Sequence, residues 1–340
     1  MKLIKKAGRV ILFAIAWVSV TVFFLWAIGA IWYFDPLPKF VGPALAIAIS
    51  ILGIALLFRI KPKTMWLTCA GSLIGIVWLM TLTQQPTHDR QWAKDQTVLS
   101  QVTIENDAVT IGNFRNNLYR DESDFDVQRS DFRFKLTDLS KVWFIVQRFS
   151  PSEGLAHVFL SFEIEAESES QRHFAVSVEI RREEDEFFSP IQGLYRQYEL
   201  NYIFGDERDL IGVRTVMRPK DRLFMYPVNA TPQQVQRLFR SIAARTNQIQ
   251  DRPEFYHTLL NNCMNGILRH TSQLTPDEIS WFDSRIILPG YSDRYAFEQG
   301  IIGTADESFD DLKRNCQIDQ RARTFGIEPG FSKAIRNSAN

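Results

Sequence analysis

AHVFLSFEI at residues 156–164 and HFAVSVEIR at residues 173–181 are the stretches on which the fold turns. In the first, Val158, Leu160, Phe162 and Ile164 share one face and His157, Phe159, Ser161 and Glu163 the other. In the second, Phe174, Val176, Val178 and Ile180 oppose Ala175, Ser177, Glu179 and Arg181. A period of two puts alternate side chains on opposite sides of a strand, so each run reads as a strand with one apolar face. The polar residues 165–172 between them are few enough to join antiparallel neighbours. With the apolar faces together, His157 and Glu179 fall on the same side of the sheet. A register setting Phe159 opposite Glu179 leaves His157 diagonal to Glu179, roughly 7–8 Å away between backbones and within reach of long side chains.

Working outward, residues 102–105 and 108–112 flank Asn106 and Asp107, a two-residue hairpin signal, and residues 132–136 and 142–148 are strand-like. Residues 114–131 are polar and irregular, and residues 84–98, polar and holding Pro86, read as a stalk. Downstream, Thr231 and Pro232 occupy N-cap and first-turn positions of a helix whose Val235, Leu238, Phe239, Ile242 and Ile249 recur at helical spacing. Asn262 is a good N-cap for a second helix with Met264, Ile267 and Leu268 as its apolar stripe, which puts Cys263 in the first turn. The fold class expected is α+β, an antiparallel sheet packed with helices.

The front of the chain is of another kind. Residues 10–34, 41–58 and 65–83 carry no charge, and each can cross a hydrocarbon core about 30 Å thick as a helix. A cleaved signal peptide does not fit the first run, which is too long and has no small-residue cleavage pattern before Tyr33 and Phe34. Four Lys/Arg precede the first span and three lie at 59–63, against Lys39 and Asp35 in the loop 35–40, so the basic ends belong on the cytoplasmic side and residue 84 onward outside. The 39 basic and 39 acidic residues of the whole chain divide unevenly: residues 89–340 keep 31 basic against 38 acidic. A net negative domain argues against nucleic acid as a partner, because binding phosphates needs clustered Lys/Arg. The expected organisation is a three-span membrane anchor at 1–88, an α+β domain at 89–305 and an extension at 306–340.

A thiol in the first turn of a helix meets unpaired N–H groups and the positive end of the dipole, which favour thiolate and can also receive an oxyanion. A histidine to take the proton and a carboxylate to orient it complete a nucleophilic site, and Cys263, His157 and Glu179 are those parts. Asn262 and Arg181 are candidates for substrate or oxyanion support. Plainer readings stand beside this one. Cys263 pairs with Cys316 in a disulfide, His157 is an ordinary strand histidine, or Glu179 pairs with Arg181 or Arg182. His257, Cys263 and His270 lack the close pairs of a zinc site, so no metal and no cofactor is expected. His88 and His173 have no evident chemical partner. The aromatic residues between the hairpin and the helices, Phe187, Phe188, Tyr195, Tyr198, Tyr202 and Phe204, then Trp281, Phe282, Tyr291 and Tyr295, are mostly core by this reading, with some available to line an acyl groove at the bilayer surface.

HVFLSFE from His157, VSVEIRREEDEFFSP from Val176, YRQYELNYIFGDERDLI from Tyr195, PEFYHTLLNNCMN from Pro253, ILPGYSDRYAFEQG from Ile287 and the closing GFSKAIRN resemble the Lnb-type N-terminal periplasmic domain family over roughly residues 89–340. That resemblance implies a permuted papain-like, NlpC-related cysteine enzyme. His157 and Cys263 then stand at the family's histidine and cysteine, with Glu179 as third member. NNCMN stands here where the family pattern suggests NNCTT. The resemblance implies acyl transfer on a membrane lipid or lipoprotein at the outer face of a bacterial inner membrane. A cysteine amidase or peptidase acting on cell-wall peptides and a non-catalytic membrane-anchored binding module are the alternatives.

Overall fold

The computed structural model describes residues 2–149, 151–165, 172–271 and 283–336. The chain divides into two compact units, residues 1–87 with 189–197, and residues 88–188 with 198–340.

The first unit contains helices α1 (Lys2–Trp32), α2 (Val41–Arg59) and α3 (Lys63–Thr81). Val10–Trp32, Val41–Arg59 and Lys63–Thr81 are long and apolar enough to cross a membrane, in agreement with the three charge-free runs. Small residues let the helices approach: Ala27, Ala30 and Ala46 are buried at their contact with Ile31 and Val77. Trp66 stacks on Trp17 at 5.1 Å and donates its indole N–H to the Gly53 carbonyl at 3.0 Å. Residues 189–197 pack on this bundle. A Cβ at Gly29 would collide with the Tyr195 ring, which stacks on Tyr33 at 5.3 Å.

The second unit is built on one sheet of β1 (Gln101–Glu105), β2 (Ala108–Arg115), β5 (Arg129–Lys135), β6 (Leu139–Arg148), β7 (His157–Ile164), β8 (Arg172–Arg181), β9 (Glu199–Gly205) and β10 (Arg222–Pro227), with β3 (Leu118–Tyr119) and β4 (Phe125–Asp126) as a separate ribbon. The order is β1-β2-β9-β8-β7-β6-β10 with β5 on β2, antiparallel except for β2 against β9. Asn106 takes a positive φ of 55° at the β1–β2 turn, where the hairpin was expected. The helices are α4 (Glu207–Leu210), α5 (Gly212–Thr215), α6 (Pro232–Asp251), α7 (Cys263–Leu268), α8 (Ser284–Ile287), α9 (Ser292–Glu298), α10 (Phe309–Asn315), α11 (Asp319–Phe325) and α12 (Phe331–Arg336). Thr231 begins α6 with a full capping box closed by Gln234.

The two faces of β7 and β8 divide as their alternation requires. Val158, Leu160, Phe162, Ile164, Phe174, Val176, Val178 and Ile180 join one core cluster with residues of α6, α7 and α9. Phe159 and Ala175 join a second core with Leu210, Ile211, Ile318, Ala322, Phe331 and Ile335. Helices therefore cover both faces, and the extension beyond 306 docks on the sheet, contributing core side chains to the second. The stalk reading of 84–98 is corrected from His88 onward. Trp92, Ala93 and Gln96 are buried, and Ala93 donates its N–H to the Arg182 carbonyl at 3.1 Å, because an indole and a well-placed amide gain more from this groove than from water. Most of the connection between β7 and β8, and Trp281 and Phe282, lie outside the described residues.

Candidate functional site

Asn262 holds extended backbone, φ −113° and ψ −173°, and its side chain accepts the Asn265 N–H at 2.9 Å while the Asn265 side chain accepts the Asn262 N–H at 3.3 Å. This reciprocal cap ends the irregular backbone at one residue and fixes Cys263 as the first of α7. The helix lies close on the sheet, since a Cβ at Gly266 would stand 2.9 Å from Val178 Cγ1. Backbone N–H groups of Val158, Met264 and Cys263 itself are directed at the sulfur. Burial nevertheless outweighs them and pushes the Cys263 thiol up to about 11. The thiol is therefore the resting form, from which a base must take the proton. The amides and the helix end are present as read, but only 6% of the residue reaches water and the neutral form prevails.

His157 opens β7. Phe159 pairs with Ser177, not Glu179, so the register is two residues from the one expected, and continuing it sets His157 directly across from Glu179. Imidazole Nε2 lies 2.7 Å from Ser177 Oγ and 3.9 Å from Glu179 Oε1, and the ring stacks on Phe159 at 5.6 Å. Behind Glu179 stands Arg214 of α5, which donates Nη2 to the Glu179 carboxylate and Nη1 to the Leu210 carbonyl at 2.7 Å. Burial, then the Arg214 cation, hold the His157 imidazole down at about 3 against the opposing pull of Glu179, so the ring is a neutral base near pH 7. Burial alone would raise Glu179; Arg214, with His157 and Arg115, instead keeps its carboxyl well below the ordinary range.

Of the five residues expected at a site, His157 and Glu179 meet, and Asn262 and Cys263 adjoin as cap and first helical residue. The sulfur and the imidazole flank one peptide of β7: the Val158 amide faces Cys263, whereas the side chain of His157 is turned to Ser177. Among the described residues no hydrogen bond joins them. Cys263 clusters with Val158 and Val178 on one face of the sheet, and His157 lies with Phe159 toward the other.

Arg181 is elsewhere. It donates Nε to the Gln96 carbonyl at 3.0 Å and Nη2 to that of Thr97 at 2.9 Å, with Nη1 3.0 Å from His88 Nδ1, and its guanidinium lies 4.1 Å over Trp92. These contacts pin residues 88–97, and only 3% of Arg181 reaches solvent. His88 bonds the Gln250 carbonyl at 2.9 Å, and His173 sits 3.4 Å from Glu163, so both have partners that their sequence surroundings did not suggest. Arg214 and Ser177 were missed. Ser177 was on the correct strand face to be found, whereas nothing local to GVRT marks Arg214 as the cation for a strand 35 residues upstream.

All three cysteines are free, Cys263 and Cys316 both buried, so the bridge between them is not formed. Among the described residues no group of three His, Cys, Asp or Glu is placed to hold a metal ion.

Residues 128–290 match the family described as the Lnb N-terminal periplasmic domain. The match takes in His157, Ser177, Glu179, Arg214, Asn262 and Cys263. No curated protein and no solved structure matches the chain.

Proposed function

We propose a thiol-dependent acyl transfer centred on Cys263 at the outer face of a bacterial inner membrane, on the premise that residues 128–290 match the Lnb N-terminal periplasmic domain family on a chain with three helices of membrane-spanning length. The position of Cys263 as first residue of a reciprocally capped helix, with the backbone N–H groups of Val158 and Met264 near its sulfur, carries the reading. Donors so placed stabilise negative charge first on sulfur and then on the oxygen of a tetrahedral adduct.

The cycle begins from a protonated thiol and a neutral imidazole. Substrate entry frees His157 from Ser177 and brings its ring round the start of β7, where it takes the thiol proton. The sulfur bonds to an ester or amide carbonyl carbon, the carbon–oxygen or carbon–nitrogen bond breaks, and the imidazolium returns its proton to the leaving group. An amine or water then attacks the thioester and regenerates the thiol. Glu179 holds the ring, and Arg214 keeps that carboxylate charged. Membrane lipid or lipoprotein is the substrate class favoured, since tethering to the same bilayer raises its effective concentration.

In cells lacking the protein, restoring the native chain should shift the masses of lipoprotein N-termini, and Cys263→Ala should not; restoration by Cys263→Ala overturns the proposal. A change confined to muropeptides assigns the chemistry to a cell-wall amidase or peptidase. A second reading, a non-catalytic binding module, draws on the buried thiol and its lack of a hydrogen bond to His157. Resistance of Cys263 to an electrophile at every pH that leaves the fold intact would favour that reading.

A further inference from the structure

We propose that the end of the periplasmic domain carrying Cys263 is seated in the lipid leaflet on its own side of the membrane, through Phe149, Phe187, Phe188, Leu259 and Leu260. Phe187 is 84% exposed, Leu260 70%, Leu259 50%, Phe188 45% and Phe149 40%. Single exposed apolar residues need no explanation; a group gathered at one end of a sheet does. Phe149 follows β6, Phe187 and Phe188 follow β8, and Leu259 and Leu260 stand in the turn before α7. The Phe188 ring lies 6.4 Å from Phe149 and 6.5 Å from Tyr256. Tyr256 belongs with Tyr198 and Cys263 to one buried core cluster, so this aromatic series runs from the surface into the core that holds the thiol.

The exposed side chains stand on fixed backbone. The Tyr198 hydroxyl donates to the Phe187 carbonyl at 2.6 Å, and the Leu259 and Leu260 N–H groups donate to His257 Nδ1 at 3.2 and 3.3 Å. Such anchoring presents apolar surface to water without the freedom to fold it away.

Chain continuity identifies lipid as the occupant. Directly after Phe188 the chain enters residues 189–197, which belong to the unit of the membrane helices. There Arg196 donates to the Thr81 carbonyl at 2.6 Å and Gln197 to that of Tyr33 at 2.7 Å, at the ends of α3 and α1. Phe188 is only eight residues along the chain from Arg196, and Tyr198, which directly follows Gln197, donates its hydroxyl to the Phe187 carbonyl, so short lengths of chain tie Phe187 and Phe188 to groups fixed where two spans end. The acidic run Glu183, Glu184, Asp185 and Glu186 just before them excludes attraction to anionic headgroups as the source of the contact, so the seat is apolar. It stands whether or not Cys263 is a nucleophile.

The test uses the full chain in nanodiscs of phosphatidylcholine, with the photoreactive residue p-benzoylphenylalanine replacing Phe187, Leu260 or, as control, exposed Lys141 at the opposite end of β6. Irradiation followed by mass spectrometry should give lipid adducts at 187 and 260 at least about fivefold above those at 141. Including phosphatidylglycerol should lower that yield. Lipid adducts no more abundant at 187 and 260 than at 141, or crosslinks at those positions mainly to a second copy of the chain, would overturn the proposal.

Discussion

The hairpin of β7 and β8 carries two histidine–carboxylate pairs on the same face. His157 lies 3.9 Å from Glu179 at one end, and His173 lies 3.4 Å from Glu163 at the other. Each carboxylate has a cation as well, Arg214 for Glu179 and Lys141 for Glu163. The ends differ in access and in what adjoins them. Side-chain exposure is 16% for both His157 and Glu179 but only 4% for His173 and 2% for Glu163. The Val158 amide, one residue from His157, faces a cysteine sulfur, while Ser161 toward the other end bonds the Glu207 carboxylate that Arg336 closes over at 2.7 Å. The histidine–carboxylate pairing is thus common to both ends, and what sets the His157 end apart is its greater solvent access and the nearby Cys263 sulfur.

That contrast breaks most sharply at Arg214. Arg214→Met leaves Glu179 largely buried without its cation, and denaturant unfolding of the full chain in detergent should show a loss of about 3–5 kcal/mol. The same change removes a repelling cation from His157, so the imidazole should titrate above about 3, as followed by its NMR shifts. Glu163→Gln at the sealed end should cost less, about 1–3 kcal/mol, and leave the rate of Cys263 alkylation unchanged. A slowed alkylation would mean that the two ends act together.

The pH dependence is smaller and has a definite sign. His157 titrates at about 3 in the folded chain against an ordinary 6.5, so the unfolded chain takes up that proton first as pH falls. Stability is full above 6.5 and declines toward 3, by up to about 2 kcal/mol between pH 6.5 and 5 for this one group. Glu179, whose folded carboxyl is also depressed, adds a further loss below its ordinary 4.5. Comparing unfolding at pH 7 and pH 5, His157→Gln should lose less stability than the native chain.

Much of this was legible in the sequence because it is local. Alternation fixed the faces of β7 and β8, Thr231 and Asn262 marked helix starts, and unbroken apolar runs marked the spans. The two-residue error in register arose because a polar connection of that length does not specify pairing, although both registers keep His157 and Glu179 on one face. How far burial outweighs the helix start at the thiol was hidden, since a helix start can be seen in sequence and burial cannot. Arg214 was invisible because its partner is 35 residues away on another element. The core role of Ile318, Ala322, Phe331 and Ile335 was hidden likewise, their helices being too short to show a period.

The most direct measurement is the mass of the Cys263 peptide after brief exposure of the purified full chain to a diacyl lipid or lipoprotein donor, with acid quenching. Acyl transfer through this thiol gives a thioester adduct on Cys263 that hydroxylamine removes, and His157→Ala forms it at least about 100-fold more slowly. An unmodified Cys263 in a chain that still turns the donor over, or an adduct formed equally fast without His157, would contradict the assignment.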